Sequence, residues 1–542
     1  MKRHLEYPDC SLYDLIERKA AKFSAVCALN YFGRKINYRR LIEEIKRCAN
    51  ALTAMGVGSG DKVSVCLPNI PEAVYLFYAI NKVGAVANMI HPMSAENEIV
   101  RFVELTESRY IFGVDLIADK LERVIKKCPS LHIVTVSVSR SMPAAIKIGY
   151  ALKKHRKAAT TSAKDWSTFI KAGKTSKEVN AHSCADETAA ILYSGGTTGR
   201  PKGIMLTNMN FNALAVHSID ACGSLQSGMK MLSVMPIFHG FGLGVCIHTM
   251  LVLGGTAVIQ PKFSAAGFHK LLLRYRPDII AGVPAIYEAM IVNKSFKGRE
   301  LGFLKCIISG GDSLAPSTKK KLNAMLAEHG CSARVREGYG LTECVTGSCL
   351  MPEGSDNLMS VGLPYADTFY KVIDSSGKEL PPGETGELII RGPSVMKGYY
   401  NEPEETAAVL KKRSDGYIWL HTGDLGYIDN EGFVYFRQRL KRMIVSGGYN
   451  IYPQNIEEVI SSHDSVIMCA VVGAPDRIMG EKVFACVVPT DGTNEEKLRS
   501  ELMEMLRKEV AVYALPREIR FMKELPKTLV GKIAYNELIT GD

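Results

Sequence analysis

The chain has 542 residues, of which 46% are hydrophobic and 23% are charged, and its formal net charge is +11. This length exceeds what one hydrophobic core usually supports, so two or more domains are expected, and the composition excludes a mainly disordered protein. The positive charge could attract nucleic acid, an anionic membrane or a polyphosphate ligand. Scattered surface lysines explain it more simply, and we expect no nucleic-acid partner.

Helical and strand patterns alternate along the first part of the chain. Ser11 is expected to cap the first helix, 38–54 is amphipathic, 61–67 has the pattern of a strand, and Pro71 opens a helix that runs to about residue 83. Further strands are predicted at 188–193, 231–235, 256–259, 278–281 and 304–309. This alternation favours an α/β fold with largely parallel sheets.

Two stretches raise the question of a membrane. Residues 241–259 carry no formal charge, but the Gly254-Gly255 pair is more typical of a buried helix that ends before a strand at 256–259. Residues 144–164 are strongly basic, which indicates a solvated loop more often than a helix on a membrane surface. Peripheral membrane contact is therefore a secondary expectation.

The last hundred residues have a different pattern, with short helices at 455–463 and 494–510 and strands at 466–472 and 482–489. This change predicts a large N-terminal domain of residues 1–439 and a small α+β domain of residues 440–542. The 14 cysteines form no C-x-x-C pair, which gives no support to a zinc site or a redox dithiol. With no apolar run at the N-terminus, reduced cysteines and a cytoplasmic location are expected.

The most informative segment is Tyr193-Ser-Gly-Gly-Thr-Thr-Gly-Arg-Pro-Lys-Gly203, a strand followed by a turn rich in glycine and hydroxyl groups. Glycines let backbone N–H groups approach a phosphate, hydroxyls add hydrogen bonds, and Lys202 supplies charge. The spacing is not that of a Walker loop. Other glycine-containing turns follow predicted strands at Phe238-His-Gly, Gly282-Val-Pro and Ser309-Gly-Gly, where α/β sheets tend to bind ligands.

The 193–203 segment resembles the phosphate loop of the superfamily that contains acyl-CoA synthetases, peptide-synthetase adenylation domains and beetle luciferases. Further motifs follow in the family's order over nearly the whole chain, and the sequence looks closest to fatty acyl-CoA ligases. They are Pro236-Ile-Phe-His-Gly240, Gly338-Tyr-Gly-Leu-Thr-Glu343, Ser360-Val-Gly-Leu-Pro364, Gly383-Glu-Thr-Gly-Glu387, Arg391-Gly-Pro393, Gly398-Tyr-Tyr-Asn401, Thr422-Gly-Asp424, Arg439-x-Lys441, Ser446-Gly-Gly-Tyr-Asn-Ile-Tyr-Pro453 and Pro526-Lys-Thr-Leu-Val-Gly-Lys532. The resemblance implies a ligase that uses ATP and Mg²⁺ to activate a carboxylic acid as acyl-AMP and passes the acyl group to coenzyme A.

The resemblance also assigns nucleotide-binding residues. Tyr339 should stack on adenine, Asp424 should hold the ribose hydroxyls with Arg439, and Glu343 should bind Mg²⁺, with Thr198 as a weaker second candidate. The remaining expected contacts to nucleotide or phosphate are Ser194, Gly195, Gly196, Thr197, Gly199, Lys202, Gly338, Gly340 and Thr342.

Lys532 matches the lysine of the adenylation step, where an ammonium group can bridge the attacking carboxylate and the α-phosphate. By the same resemblance the small domain rotates between adenylation and thioester formation, with Lys441 at the hinge. Rotation would replace Lys532 with the turn of Ser446, Gly447 and Gly448, whose glycines leave room for a pantetheine arm.

The acid is expected to be a medium- or long-chain fatty acid. Phe238 and His239 stand where peptide-synthetase domains usually have an aspartate, which disfavours an amino acid. His239 is a candidate catalytic residue, although a buried ring with one hydrogen bond is the plainer interpretation. The other expected pocket residues are Phe241, Val283, Gly310 and Gly311. An aryl acid, loading of a carrier protein and a membrane-linked fatty-acid uptake protein are the alternatives.

Several positions depart from the family's common pattern. Arg442 replaces a common Asp after the hinge, Asp312-Ser313 replaces Ala-Pro, and Tyr535 replaces an Arg; Gln438 and Val530 also differ. These changes leave the ATP chemistry intact and concern the hinge, the coenzyme A contacts and the edge of the adenine site.

Overall fold

The structure is a computed structural model, and it describes residues 4–153, 163–175, 184–194, 201–262, 264, 267–439, 442, 444–446, 449–476, 479–528 and 532–539. Its α-helices are α1 (Leu12–Phe23), α2 (Tyr38–Ala54), α3 (Pro71–Lys82), α4 (Glu96–Thr106), α5 (Ala118–Lys127), α6 (Ala144–Lys153), α7 (Trp166–Ala172), α8 (Asn208–Ala221), α9 (Thr249–Leu253), α10 (Phe268–Tyr275), α11 (Pro284–Ile291), α12 (Pro316–Glu328), α13 (Pro403–Val409), α14 (Pro453–Ser461) and α15 (Glu495–Glu509).

The strands are β1 (Cys27–Tyr31), β2 (Arg34–Asn37), β3 (Lys62–Cys66), β4 (Val86–Met89), β5 (Tyr110–Val114), β6 (His132–Val136), β7 (Lys164–Asp165), β8 (Thr188–Ser194), β9 (Lys202–Thr207), β10 (Lys230–Ser233), β11 (Thr256–Ile259), β12 (Ile279–Gly282), β13 (Cys306–Ser309), β14 (Val335–Tyr339), β15 (Cys349–Leu350), β16 (Leu363–Pro364), β17 (Phe369–Ile373), β18 (Gly386–Arg391), β19 (Gly398–Tyr399), β20 (Leu410–Lys412), β21 (Ile418–Ile428), β22 (Val434–Arg439), β23 (Ile444–Ser446), β24 (Tyr449–Ile451), β25 (Val466–Asp476), β26 (Gly480–Pro489) and β27 (Glu518–Phe521).

The strands form four sheets. A nine-stranded sheet has the order β16-β15-β14-β13-β12-β10-β11-β1-β2, and an eight-stranded sheet has the order β19-β9-β8-β4-β3-β5-β6-β7. The central strands of both sheets are parallel; antiparallel pairs lie at both ends of the nine-stranded sheet and at the β19–β9–β8 end of the eight-stranded sheet. Strands β17, β18, β20, β21 and β22 make a third, antiparallel sheet, and β23 to β27 make the fourth. The predicted α/β class with largely parallel sheets is confirmed.

Local sequence signals determine where several helices begin. The Ser11 side chain accepts a hydrogen bond from the Asp14 N–H and so caps α1, as predicted, and Asn37 caps α2 in the same way. Helix α3 starts at Pro71, whose fixed φ suits the first turn, and all of its residues are buried. A helix that is apolar on every side must lie inside the protein, so α3 anchors the core of the large domain.

The uncharged stretch 241–259 is a buried helix followed by a strand, as predicted. A π-helix covers Phe241–His248, continues as α9, and ends at Gly254, whose φ of +81° is left-handed. A Cβ on Gly242 would lie 2.0 Å from the carbonyl oxygen of Pro236, so only glycine fits there. In the described part of the chain, no helix combines the length and apolar character needed to cross a bilayer.

The fourth sheet belongs to a small C-terminal domain with its own cores. One face of the sheet packs on α14 and α15 around Ile456, Leu498 and Leu502, and a second buried cluster surrounds Phe484 and Leu538. Neither cluster shares a residue with the large core of the preceding chain. The exact boundary at residue 440 stays a prediction, because residues 440 and 441 lie outside the described chain.

Candidate active site

Four glycine-containing turns line one edge of the nine-stranded sheet. Strands β14, β13, β12 and β10 are neighbours in that order and run parallel, so the segments after them emerge side by side. These segments carry the predicted residues of the Pro236–Gly240, Gly282–Val283, Gly310–Gly311 and Gly338–Glu343 motifs. Because parallel strands place ligands beyond their carboxyl ends, this edge is the candidate site.

Tyr339 and Asp424 meet at this edge. The Tyr339 hydroxyl donates to Asp424 Oδ2 at 2.6 Å, and the Tyr339 ring stacks on Phe436 with ring centroids 5.7 Å apart. Asp424 is only 3% exposed, and burial raises the pKa of its carboxyl while Arg439 and the Tyr339 hydrogen bond lower it. Arg439 is the cross-strand partner of Asp424, with Nε 3.4 Å from Asp424 Oδ1.

Asp424 Oδ1 is buried and has no hydrogen-bond partner among the described residues. Buried carboxylate oxygens normally have partners, because leaving one without a donor costs about 1–3 kcal/mol or more. An acceptor left open beside an aromatic ring suits a ligand that brings hydroxyl donors and a flat base.

Glu343 lies in the short 3₁₀ turn Thr342–Cys344 after the Gly-Tyr-Gly segment. Its Oε1 accepts a hydrogen bond from the Tyr399 hydroxyl at 3.0 Å, and burial together with the Glu343 charge raises the pKa of Tyr399, so the phenol stays a donor. The Lys202 ammonium lies 4.8 Å from the Tyr399 ring centroid and forms an ion pair with Glu405. Tyr399 therefore joins the carboxylate of one motif to the lysine of another.

Lys532 reaches this edge from the C-terminal domain. Its Cε lies 3.7 Å from the position that a Cβ on Gly311 would occupy, so the lysine rests on the turn after β13. A small hairpin presents it, in which Thr528 N–H donates to the Lys532 carbonyl at 2.7 Å and Lys527 bridges to Ile533. Burial lowers the pKa of Lys532, and Asp312 is the strongest of the charges that oppose this shift.

His239 is a neutral ring in this environment. Its Nδ1 accepts a hydrogen bond from the Phe241 N–H at 3.2 Å, which leaves the ring proton on Nε2 as a donor. Burial, reinforced by the Lys532 charge, lowers the pKa of His239 to about 3. The neighbouring Phe238 ring packs on His91 with centroids 4.1 Å apart.

The predicted pocket residues lie together. The Phe241 ring is within 3.8 to 3.9 Å of the Cβ positions of Gly310 and Gly311, and Val283 Cγ1 is 3.4 Å from that of Gly311. Phe241 and Val283 are each about 95% buried, with 5% and 4% exposure. An apolar wall thus adjoins the turn on which Lys532 rests.

Known proteins share this architecture. The family described as AMP-binding enzyme matches residues 16–400, and its C-terminal domain family matches residues 455–532. This chain belongs to the AMP-binding enzymes. The long-chain-fatty-acid–CoA ligase of Bacillus subtilis is 32% identical to it, covering 99% of this chain and 95% of that protein. A feruloyl-CoA synthase of an Amycolatopsis species is also 32% identical, covering 96% and 97%. The ATP-bound crystal structure of MatB from Rhodopseudomonas palustris is 27% identical, covers 97% of this chain and 98% of that chain, and has a TM-score of 0.83.

Part of the predicted site of this AMP-binding enzyme falls outside the described residues: Gly195, Gly196, Thr197, Thr198, Gly199, Lys441, Gly447 and Gly448. Ser194 ends β8 and Ser446 ends β23, each directly before such a segment. Gly338, Gly340 and Thr342 lie in the turn after β14, where a Cβ on Gly340 would come within 2.6 Å of the Thr346 carbonyl carbon.

The structure adds residues to the site of this AMP-binding enzyme that received no predicted role. Tyr399 contacts Glu343, Phe436 stacks on Tyr339, and Glu405 pairs with Lys202. Tyr399 lies in the quoted Gly-Tyr-Tyr-Asn motif, so the sequence carried a signal for it. The sequence carried no signal for Phe436 or Glu405, because each contacts a residue far away along the chain and such contacts leave no local sequence pattern.

Proposed function

We propose that this chain is an AMP-forming acyl-CoA ligase that activates a fatty acid as acyl-AMP and transfers the acyl group to coenzyme A. The observation that supports this most directly is Lys532 of the C-terminal domain resting on Gly311. An ammonium from one domain then faces the pocket edge that carries Tyr339, Asp424 and Glu343 from the other.

In the first step, the substrate carboxylate attacks the α-phosphorus of ATP, a P–O bond forms, and the bond to the β-phosphate breaks to release pyrophosphate. Lys532 is placed to offset the charge of the two anions as they meet, and such preorganised charge is the main means of catalysis here. His239 is buried and neutral, since burial and the Lys532 charge lower its pKa, and it would act here as an uncharged hydrogen-bond donor through Nε2–H. No protein nucleophile is required.

The nucleotide contacts follow from the open groups of the site. Asp424 Oδ1 has no hydrogen-bond partner among the described residues and would accept ribose hydroxyls beside its ion pair with Arg439, while Tyr339 offers its ring to adenine. Lys202 and the 194–199 segment would contact the phosphates. The described residues contain no cluster of three or more His, Cys, Asp or Glu side chains able to hold a metal. Glu343 with Thr198 would therefore bind Mg²⁺ jointly with phosphate oxygens, and the ion would neutralise phosphate charge.

In the second step, the coenzyme A thiol attacks the acyl carbonyl, a thioester forms, and AMP leaves. We propose that the C-terminal domain, beginning at residue 440, rotates about Lys441 so that Ser446, Gly447 and Gly448 replace Lys532. All 14 cysteines are free, which supports a reducing, cytoplasmic location.

The choice of acid rests on the pocket wall and the relatives. Phe241 and Val283 are apolar and buried, which suits an alkyl chain, and the Bacillus subtilis relative is named for long-chain fatty acids. An aryl acid is the second candidate, because the feruloyl-CoA synthase is equally similar at 32% identity.

The test is acid-dependent pyrophosphate release with ATP and Mg²⁺, using fatty, aryl and amino acids, each with and without coenzyme A. Release with fatty acids and formation of an acyl-CoA product is the expected result. Preference for aryl acids would select the second candidate, and release without a thioester would indicate a carrier protein as acceptor. No pyrophosphate release with any acid would refute the proposal.

A further inference from the structure

Asp312 lies where the two domains meet. It follows Gly311, the residue against which Lys532 packs, and its Oδ1 accepts a hydrogen bond from the Ser313 N–H at 3.0 Å. The carboxylate is partly exposed and belongs to the N-terminal domain, in the loop between β13 and α12.

Three groups of the C-terminal domain are close enough to feel the charge of this carboxylate: Lys532, Arg442 and Tyr535. The Arg442 guanidinium stacks on the Tyr535 ring at 3.7 Å from the centroid and donates to Glu457 Oε1 at 2.7 Å. These contacts hold the hinge segment against the 3₁₀ turn that follows Lys532. Two positive charges of the C-terminal domain therefore lie within electrostatic range of one acidic side chain of the N-terminal domain, and the Lys532 side chain packs on the residue next to it.

The charge of Asp312 acts on all three groups. Burial lowers the pKa of Lys532, and of the nearby charges Asp312 raises that pKa most strongly. Burial also opposes the charge of Arg442, while Glu457, Tyr535 and Asp312 raise its pKa. Burial raises the pKa of Tyr535, and Asp312 adds to that shift. A negative charge at 312 thus favours the charged forms of both cations while they are docked.

We propose that Asp312 is a positioning residue whose carboxylate holds the Lys532 hairpin and the Arg442 segment in the adenylation orientation. The proposal rests on the proposed two-step function, because only such an enzyme must hold and then release this domain. The attraction exists only in the docked orientation, since Asp312 is in one domain and the cations are in the other. Rotation separates them, so the same carboxylate favours the first half-reaction over the second.

The decisive variant is Asp312→Asn, which keeps the shape of the side chain and removes its charge, with Asp312→Glu as the conservative rescue. Asp464→Asn is the matched control, because Asp464 is 98% exposed and pairs with Lys321 across the same domain boundary at 3.6 Å. Adenylation is followed by acid-dependent exchange of pyrophosphate into ATP. Thioester formation is followed separately from supplied acyl-AMP and coenzyme A.

We expect Asp312→Asn to slow adenylation about tenfold, while thioester formation from acyl-AMP stays equal or becomes faster. Asp312→Glu should recover most of the loss, and Asp464→Asn should behave as the parent. Equal slowing of both half-reactions, or no slowing of either, would overturn the assignment.

The pH profile provides a readout that a packing defect would not move. Asp312 raises the pKa of Lys532, so Asp312→Asn should lower that pKa. Lys532 then loses its proton at a lower pH, and the alkaline limb of the adenylation profile should shift to lower pH. An alkaline limb that stays in place in Asp312→Asn contradicts the proposal. The other charged or titratable groups that face Lys532 are Arg439, Asp424, Glu343 and His239, and all are unchanged in the variant.

A measurement without substrates separates this proposal from the proposed function. Tryptic cleavage at Arg439 to Arg442 in the substrate-free protein reports how often the domain leaves its docked position. We expect cleavage at least threefold faster in Asp312→Asn than in the parent and in Asp464→Asn. Equal rates would overturn the role of Asp312 even if the enzyme proves to be an acyl-CoA ligase. Faster cleavage in a protein inactive with every acid would instead refute only the proposed function.

Discussion

Replacing Asp424 with Asn tests the proposed nucleotide site, because the buried Asp424 Oδ1 has no hydrogen-bond partner among the described residues. Asp424 accepts the Tyr339 hydroxyl with Oδ2 at 2.6 Å, while the buried Oδ1 has no hydrogen-bond partner among the described residues. Asn keeps the size of the side chain, but it removes the charge and one of the two acceptors. The variant must therefore lose either the hydrogen bond from the Tyr339 hydroxyl or the acceptor atom that Asp424 offers to the ribose.

The expected magnitude follows from the strength of a hydrogen bond to a charged acceptor, about 1.5–3 kcal/mol. This corresponds to a dissociation constant for ATP that rises roughly 10- to 150-fold. Because the change concerns binding of the nucleotide rather than the reacting atoms, kcat at saturating ATP should fall much less than the affinity.

The assay is equilibrium binding of ATP in the absence of acid, together with thermal unfolding to show that the variant is folded. Tyr339→Phe is the matched control, since it removes the donor to Asp424 but keeps the ring and the carboxylate. Its ATP affinity should change less than fivefold. A folded Asp424→Asn protein that binds ATP within twofold of the parent would refute the assignment of Oδ1 to the ribose.

Two further variants test the rest of the site, and a third tests a buried carboxyl group in α11. Lys532→Ala should abolish adenylation and leave thioester formation from supplied acyl-AMP, and equal loss of both would contradict domain rotation. Tyr399→Phe removes the 3.0 Å bond to Glu343, so the Mg²⁺ concentration for half-maximal pyrophosphate release should rise about 2- to 10-fold; an unchanged Mg²⁺ dependence would show that the bond does not orient Glu343. Glu288 has a buried Oε2 with no hydrogen-bond partner among the described residues, and burial raises its pKa to about 7 while Lys527 lowers it. Its stability contribution is therefore present at low pH and lost as pH rises toward 7. Glu288→Gln should gain about 2 kcal/mol relative to the parent between pH 5 and pH 8, and a pH-independent difference in the free energy of unfolding would exclude this ionisation.

Elements with a clear local signal were predictable from the sequence. The 38–54 helix has the predicted bounds, Ser11 caps α1, and 241–259 is a buried helix and strand because its paired glycines mark the turn. The ends of strands and helices were harder to predict where tertiary contacts determine them. The strand predicted at 466–472 extends to Asp476 because it pairs with β26 along its full length, and the helix predicted at 455 begins at Pro453.

The motifs indicated which residues lie together at the candidate site, but not which side chains contact them, and the roles of these residues stay predictions. Glu343 follows from its Gly-Tyr-Gly context, but the Tyr399 hydroxyl that holds it comes from a strand 56 residues away. The π-helical start at Phe241 was also not anticipated, because π and α segments share the same apolar residue types. In the sequence, Asp312 is only a departure from the family's common Ala-Pro pattern. Its position near Lys532 follows from the packing of the two domains, which the local sequence does not encode.

The order of the site along the chain has a consequence for synthesis on the ribosome. Tyr339, Asp424 and Arg439 are all made before the C-terminal domain, whereas Lys532 comes roughly 90 residues later, which is on the order of 5–20 s of translation. Since domains tend to fold as they emerge, the proposed nucleotide edge is complete while the lysine has yet to be made. On the proposed assignment, a nascent chain binds a nucleotide, and gains stability from it, before it is able to consume one.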